Sequence, residues 1–178
     1  MMKAAPLLVF GLSLTLAAPA IAAGAPKTSG EKAVLTPEEK SFVLKANQIN
    51  LQEVKLGDLA EKKGQSSDVK GFGERMVKDH GQAEDQLKAL AHDKDVSLPS
   101  AVDAEGKATF NKLNKFSGAA FDKEYISAMA SGHKQALELF QAQEKKTADK
   151  QLKDWIGKTA PVVEQHMKSA EEIKSKLK

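Results

Sequence analysis

An all-α fold, arranged as a four-helix bundle, is what the sequence predicts, and three observations carry it. Four stretches of roughly 25 residues repeat apolar side chains at steps of three and four, the spacing of an amphipathic helix. No stretch alternates apolar and polar residues as a half-buried strand does; Val and Ile occur singly at helical spacing. Capping and breaking residues fall between the stretches, where helices should start and stop. Helices of that length, each about 38 Å long, bury their stripes most simply against one another.

The elements follow in order. The chain opens MMKAAPLLVFGLSLTLAAPAIAAGAP. Lys3 supplies a positive start, an apolar run covers Pro6 to Leu16, and Ala20-Ile21-Ala22-Ala23 offers small residues for cleavage. Residues 1–23 therefore read as a secretory signal, which places the mature protein in the periplasm or outside the cell. A membrane anchor is the rival reading, but the run is short and Pro19 and Gly24 interrupt it, so no stable span is expected after signal removal. Residues 24–35 are small and polar, with Gly, Pro and Ser, and read as a mobile tether. The bundle domain covers residues 36–178.

Thr36-Pro37-Glu38-Glu39 announces the first helix: Thr36 can cap, Pro37 fits the first turn and Glu39 completes a capping box. That helix should run from about Pro37 to Lys63 and stop at Gly64. Ser66-Ser67-Asp68 opens the second, to about Asp93. Pro99 and Gly106 interrupt the next stretch, which reads as a long connection with a short helix near Ala108 to Phe116. The third long helix should cover about Ala119 to Lys145. The fourth should cover about Asp149 to Lys176, with Pro161 kinking or breaking it.

Composition narrows the function classes. The mature chain has about 155 residues, one domain's worth, large enough to bury a core. It has no cysteine, hence no disulfide, no thiolate metal site and no lipid attachment at a cysteine. Loss of Lys3 with the signal takes the formal net charge from +3 to +2. The charges are mixed in sign throughout, and no basic stripe interleaves with aromatics, so nucleic acid is not an expected partner. A glycine-rich phosphate loop, a nucleophile elbow and a His-Glu-x-x-His zinc helix are also missing from the sequence.

The chemistry lies in the interruptions of the stripes. The first stripe holds Phe42, Ala46, Ile49, Leu56 and Ala60, and Glu53 breaks it. The second holds Val69, Phe72, Met76, Ala83, Leu87 and Leu90, and His80 breaks it. The third holds Tyr125, Ile126, Met129, Ala136, Leu137 and Phe140, and His133 breaks it. The fourth holds Leu152, Ile156, Val163, Ala170, Ile173 and Leu177, and His166 breaks it. All four groups sit near mid-helix. If the long connection crosses the whole bundle, the third helix runs parallel to the second and the four share a layer within roughly 9 Å; in up-down-up-down order the spread is roughly 10 Å. His92 falls off the stripe and should be exposed.

Buried polar groups without partners cost a few kcal/mol, so these four should pair with something. Two pairings fit. One is a metal site of Glu53, His80, His133 and His166, whose nitrogen and oxygen donors suit zinc, iron, manganese or copper(II). The other is a Glu–His network that only fixes helix register. Met76 and Met129 each precede a histidine by four, a spacing that also suits soft copper(I) or silver(I), although such methionines commonly fill cores. Asp79 can orient a histidine from outside the ligand set, and Tyr125 can hydrogen-bond into the layer.

The stretches RMVKDHGQAEDQLKALA, FDKEYISAMASGHKQALELF and TAPVVEQHMKSA, together with the signal, resemble the bacterial exported family called domain of unknown function 4142. The resemblance runs from about Phe42 to Ala170. It implies a ferritin-like helical fold and brings no activity with it. Glu53, His80, His133 and His166 match its motif positions. Di-iron ferritin chemistry is not expected, because it uses a Glu-x-x-His pair on each of two helices. Here the residues three before His80, His133 and His166 are Val77, Ala130 and Val163. Two functions remain: an exported bundle that binds a transition metal such as zinc, copper or iron, and a non-metal structural or envelope-stress bundle. An enzyme is the third choice.

Overall fold

Five helices and no strand make up residues 34–177, the part described by the computed structural model. They are α1 (Pro37–Lys63), α2 (Ser67–Asp93), α3 (Ala104–Leu113), α4 (Gly118–Lys146) and α5 (Lys150–Lys176). The expected secretory signal and nearly all of the expected tether lie outside the described residues; Leu35, the last residue assigned to that tether, is buried in the core. No helix among the described residues is long and apolar enough to cross a membrane.

The capping box at Thr36 forms as its residues predict, with Glu39 N–H donating to Thr36 Oγ1 at 3.2 Å and Thr36 N–H to Glu39 Oε2 at 2.9 Å. Glu39 also reaches across the bundle. Its Oε1 accepts from the Thr147 hydroxyl and from the backbone N–H of Ala148 (3.2 Å) and Asp149 (3.3 Å), in the turn between α4 and α5. Burial pushes this carboxyl up, but those donors and Thr36 outweigh it and hold it at about 2.

Such contacts fix the helix directions. The start of α1 meets the end of α4, so these two are antiparallel. At the other end Asp122, early in α4, accepts from the N–H groups of Gln65 (2.9 Å) and Ser66 (2.8 Å) in the α1–α2 turn. A buried Lys94–Asp149 ion pair joins the end of α2 to the start of α5. Hence α2 and α4 run parallel, and residues 94–117 cross the bundle end to end, carrying α3 against α1 and α4. The tightest pairings are the hairpins α1–α2 and α4–α5, which meet through α2–α5 and α1–α4.

Two expectations need correction. The short helix begins at Ala104 and ends at Leu113, because Asp103 caps it by accepting from Gly106 N–H at 2.9 Å. Gly106 is therefore inside the helix rather than a breaker: a Cβ there would stand 3.1 Å from Gln52 Oε1, so the glycine lets α3 lie close on α1. Pro161 does not break α5. It sits on the exposed face, and the carbonyl it leaves without an N–H partner, that of Gly157, is on an exposed residue where water can meet it.

The α1–α2 crossing depends on two glycines. A Cβ on Gly57 would lie 2.6 Å from the Gly73 carbonyl oxygen, and one on Gly73 would lie 2.8 Å from that of Gly57. Backbone atoms cannot give way as a side chain can. Gly57→Ala is expected to lower stability by about 1–3 kcal/mol, read as a fall in chemical-denaturation midpoint, because it overpacks this contact.

The core is in two parts. One cluster, at the end where α1 starts, contains Phe42, Leu87, Phe140, Trp155 and Ile156. The other contains Leu56, Phe72, Met76, Phe121, Ile126 and Met129. Between them lies a polar layer.

Candidate metal centre

The polar layer is built from Glu53 on α1, His80 on α2, His133 on α4 and His166 on α5, all at 4% exposure or less. Parallel α2 and α4 bring His80 and His133 to one level. One nitrogen from each histidine lies within 4.8 Å of the others, and the three ring centroids are 5.3, 5.3 and 5.5 Å apart. Phe72 closes the layer on one side, edge-on to His133 and His166. Glu53 shares the layer but is not one of this close group. His92, as expected, is exposed, with 88% of its side chain open to solvent.

Each imidazole has its outer nitrogen held by an acceptor. His80 Nδ1–H donates to Asn50 Oδ1 at 3.0 Å, His133 Nδ1–H to the Met129 carbonyl at 2.9 Å, and His166 Nε2–H to Asp79 Oδ2 at 2.9 Å. A neutral imidazole with one N–H committed carries a lone pair on the other nitrogen. The remaining nitrogens, His80 Nε2, His133 Nε2 and His166 Nδ1, therefore present lone pairs to the interior. His166 Nδ1 is buried with no protein partner. His80 Nε2 and His133 Nε2 face each other at 3.4 Å. Two lone pairs at that distance repel unless a proton or a cation sits between them. Nitrogens bound to one tetrahedral zinc at the usual bond length stand about 3.3–3.4 Å apart, so the donor set fits a small transition-metal ion.

The electrostatics keep His80 and His166 neutral. Burial pushes His80 well below the ordinary histidine range, and any charge on His133 or His166 pushes it further. Burial lowers His166 to about 4; the Asp79 hydrogen bond opposes this, and His133 and Arg75 reinforce it. Burial raises Glu53, against the pull of His133. Glu53 Oε2 and the Tyr125 hydroxyl are both buried without a hydrogen-bond partner. Burial, then the charges of Glu53 and Glu61, push the Tyr125 phenol well up, so it stays protonated.

The other sequence-predicted residues divide clearly. Asp79 orients His166, and Arg75 in turn holds Asp79 at 3.3 Å while also reaching Gln165 at 3.1 Å. Met76 and Met129 place their side chains in the apolar cluster beside the layer, and Met129 serves His133 through its carbonyl. Three contributors were missed in the sequence: Asn50, Arg75 and Glu84. Asn50 precedes Glu53 by three on the same stripe, so it is a second polar interruption of α1. Arg75 precedes Asp79 by four. Glu84 follows His80 by four and is buried. Burial pushes its carboxyl up, while Lys88 and the Asn50 amide pull the other way.

Two clefts reach the layer from opposite faces. A cavity of about 350 Å³ between α2 and α5 is lined by His80, His166, Asp79, Arg75 and Lys158. One of about 140 Å³ between α1 and α4 is lined by Glu53, Gly132, Gln52 and Gln135.

The fold is similar to that in a crystal structure of a DUF305 fragment from Deinococcus radiodurans, with a TM-score of 0.72 and 13% identity, covering 80% of this chain and 99% of that one. At that identity the likeness concerns the fold alone. None of the curated proteins compared matches the chain. Residues 24–173 match the family described as Domain of unknown function (DUF4142), and the chain, with its helical fold and buried polar layer, belongs to that family.

Proposed function

We propose that this protein is an exported, ferritin-like four-helix bundle that binds one transition-metal ion through His80, His133 and His166. The single observation that carries the reading is the set of three converging lone pairs, each fixed by an acceptor on the outer nitrogen. Such outer partners set the tautomer and orientation of metal-binding histidines. Three neutral nitrogens suit zinc or copper(II), and iron less well. Glu53 supplies a nearby negative charge to balance the ion. A single carboxylate cannot bridge two irons, so the site holds and sequesters an ion rather than running di-iron chemistry.

A structural reading has its own support. The Asn50–His80 and Asp79–His166 hydrogen bonds join α1 to α2 and α2 to α5, and would fix helix register with no ion present. Metal analysis of untagged protein purified from the periplasm separates the two. About one equivalent of zinc or copper per chain is expected, retained through dialysis. Metal-free protein that takes up no ion on reconstitution leaves only the structural reading.

Export is part of the proposal, on the strength of Lys3, the apolar run and the alanine-rich site. N-terminal sequencing of the mature form should start near Ala23 or Gly24. Retention of Met1 would favour an anchor.

A further inference from the structure

The three imidazoles are 0–3% exposed, and among the described residues two clefts lead toward their layer from the surface. The clefts differ in what they offer a cation. The larger, between α2 and α5, carries the cations Arg75 and Lys158 on its walls. Its one carboxylate, Asp79, is already engaged by Arg75 and by His166. A dication entering there can reach His80 and His166 directly, but it meets two like charges and no free carboxylate on the way. The smaller cleft, between α1 and α4, ends on Glu53. That carboxylate is 4% exposed, and its Oε2 has no hydrogen-bond partner. Gly132 leaves the way to it open: a Cβ there would find only Glu53 Oε1, at 3.9 Å. Side-chain amides of Gln52 and Gln135 line the passage, and an exposed Lys45–Glu105 ion pair at 3.2 Å lies on its rim. Its volume of about 140 Å³ is well above the roughly 10–15 Å³ one water needs, so a partly hydrated ion fits. His133 directly follows Gly132 on α4 and is buried in the same layer as Glu53.

We infer that the α1–α4 cleft is the entry port for the metal cation, with Glu53 as the carboxylate that receives the ion and passes it to His133, His80 and His166. This inference rests on the metal-binding reading and adds the route and the receiving ligand to it. Transfer is a ligand exchange: water and the Glu53 oxygen leave the ion as imidazole nitrogens replace them. A helix glycine one residue before His133 keeps the port clear. The α2–α5 cleft, with Arg75 and Lys158 against a single engaged carboxylate, disfavours a dication by charge.

The test is stopped-flow mixing of the metal-free protein with copper(II) sulfate, followed by quenching of Trp155, the single tryptophan. Gly132→Leu fills the port, and Gln135→Trp covers it from the exposed rim should the first variant fold poorly. Either is expected to slow uptake about tenfold or more, since entry then waits on a conformational opening. Glu53→Gln should slow it by at least about tenfold through lost steering and lost ligation. Val162→Phe, in the opposite cleft, should leave the rate within about twofold. Slower uptake by Val162→Phe with none by Gly132→Leu or Gln135→Trp overturns the port, as does an unchanged rate in all three. A wild-type protein that shows no quenching at any copper concentration instead defeats the metal-binding reading itself, which separates the two failures.

Discussion

His133→Ala is expected to remove most of the metal affinity. The residue gives one of only three converging nitrogens, and its Nε2 stands 3.4 Å from that of His80. An ion held by three imidazoles cannot keep its geometry on two. The loss should exceed the roughly 10–100-fold that removal of an outer partner costs. Asp79→Asn supplies that comparison. It leaves His166 in place but swaps the charged acceptor at 2.9 Å for an amide, and should weaken binding by about 10–100-fold. His92→Ala should change nothing, because that side chain is open to solvent and off the layer. The three effects, ranked in that order by competition with a chelator, distinguish a built site from surface histidine binding.

Metal-free protein should lose stability as pH falls from about 6.5 to about 4. His166 is lowered by burial to about 4, and His80 is lowered too. A histidine whose folded pKa lies below its unfolded value binds protons more readily when unfolded. Its stabilising contribution is thus complete above the unfolded pKa and is lost as pH drops through the folded one. For His166 the shift corresponds to about 3 kcal/mol. Glu53 works in the opposite direction, since burial raises its pKa and protonation of it favours the folded state at low pH. A second, lower limb belongs to Glu39, whose ionised form is held to about 2 by the α4–α5 turn. Its contribution falls away between about 4.5 and 2. Thermal melts across pH should show both limbs, and His166→Gln should flatten the upper one. Bound metal should be released only as pH falls below the ordinary histidine range, toward about 4 where His166 takes up a proton, because protons compete for the same lone pairs.

Much of this was legible in the sequence because the helical period marks departures from itself. Glu53, His80, His133 and His166 each replaced an apolar residue at a position the stripe required, and burial followed from that alone. The capping box at Thr36 and Glu39 was equally plain. Other features were hidden for physical reasons. Glu39 looks like an ordinary capping residue, and its second carboxylate oxygen binds a turn about 110 residues away that no local pattern announces. In the sequence Gly106 looks like a breaker because glycine usually is one; its close approach to Gln52 exists only once α3 lies on α1. Pro161 suggests a kink or a break because removal of an N–H costs a helix most where water cannot replace it; α5 runs on through it, and its exposure depends on how α5 faces solvent. Asn50 and Arg75 act through His80 and Asp79, and a residue that acts through another carries no periodic signature.

Calorimetric titration of the metal-free mature protein with zinc and copper(II) tests the central claim most directly. Wild type is expected to bind one ion per chain, with protons released if any of the imidazoles starts charged, and the His80→Ala/His133→Ala double variant to bind none at the same site. Equal heats and stoichiometry for wild type and the double variant would contradict an inward-facing metal centre and leave the polar layer as a register device.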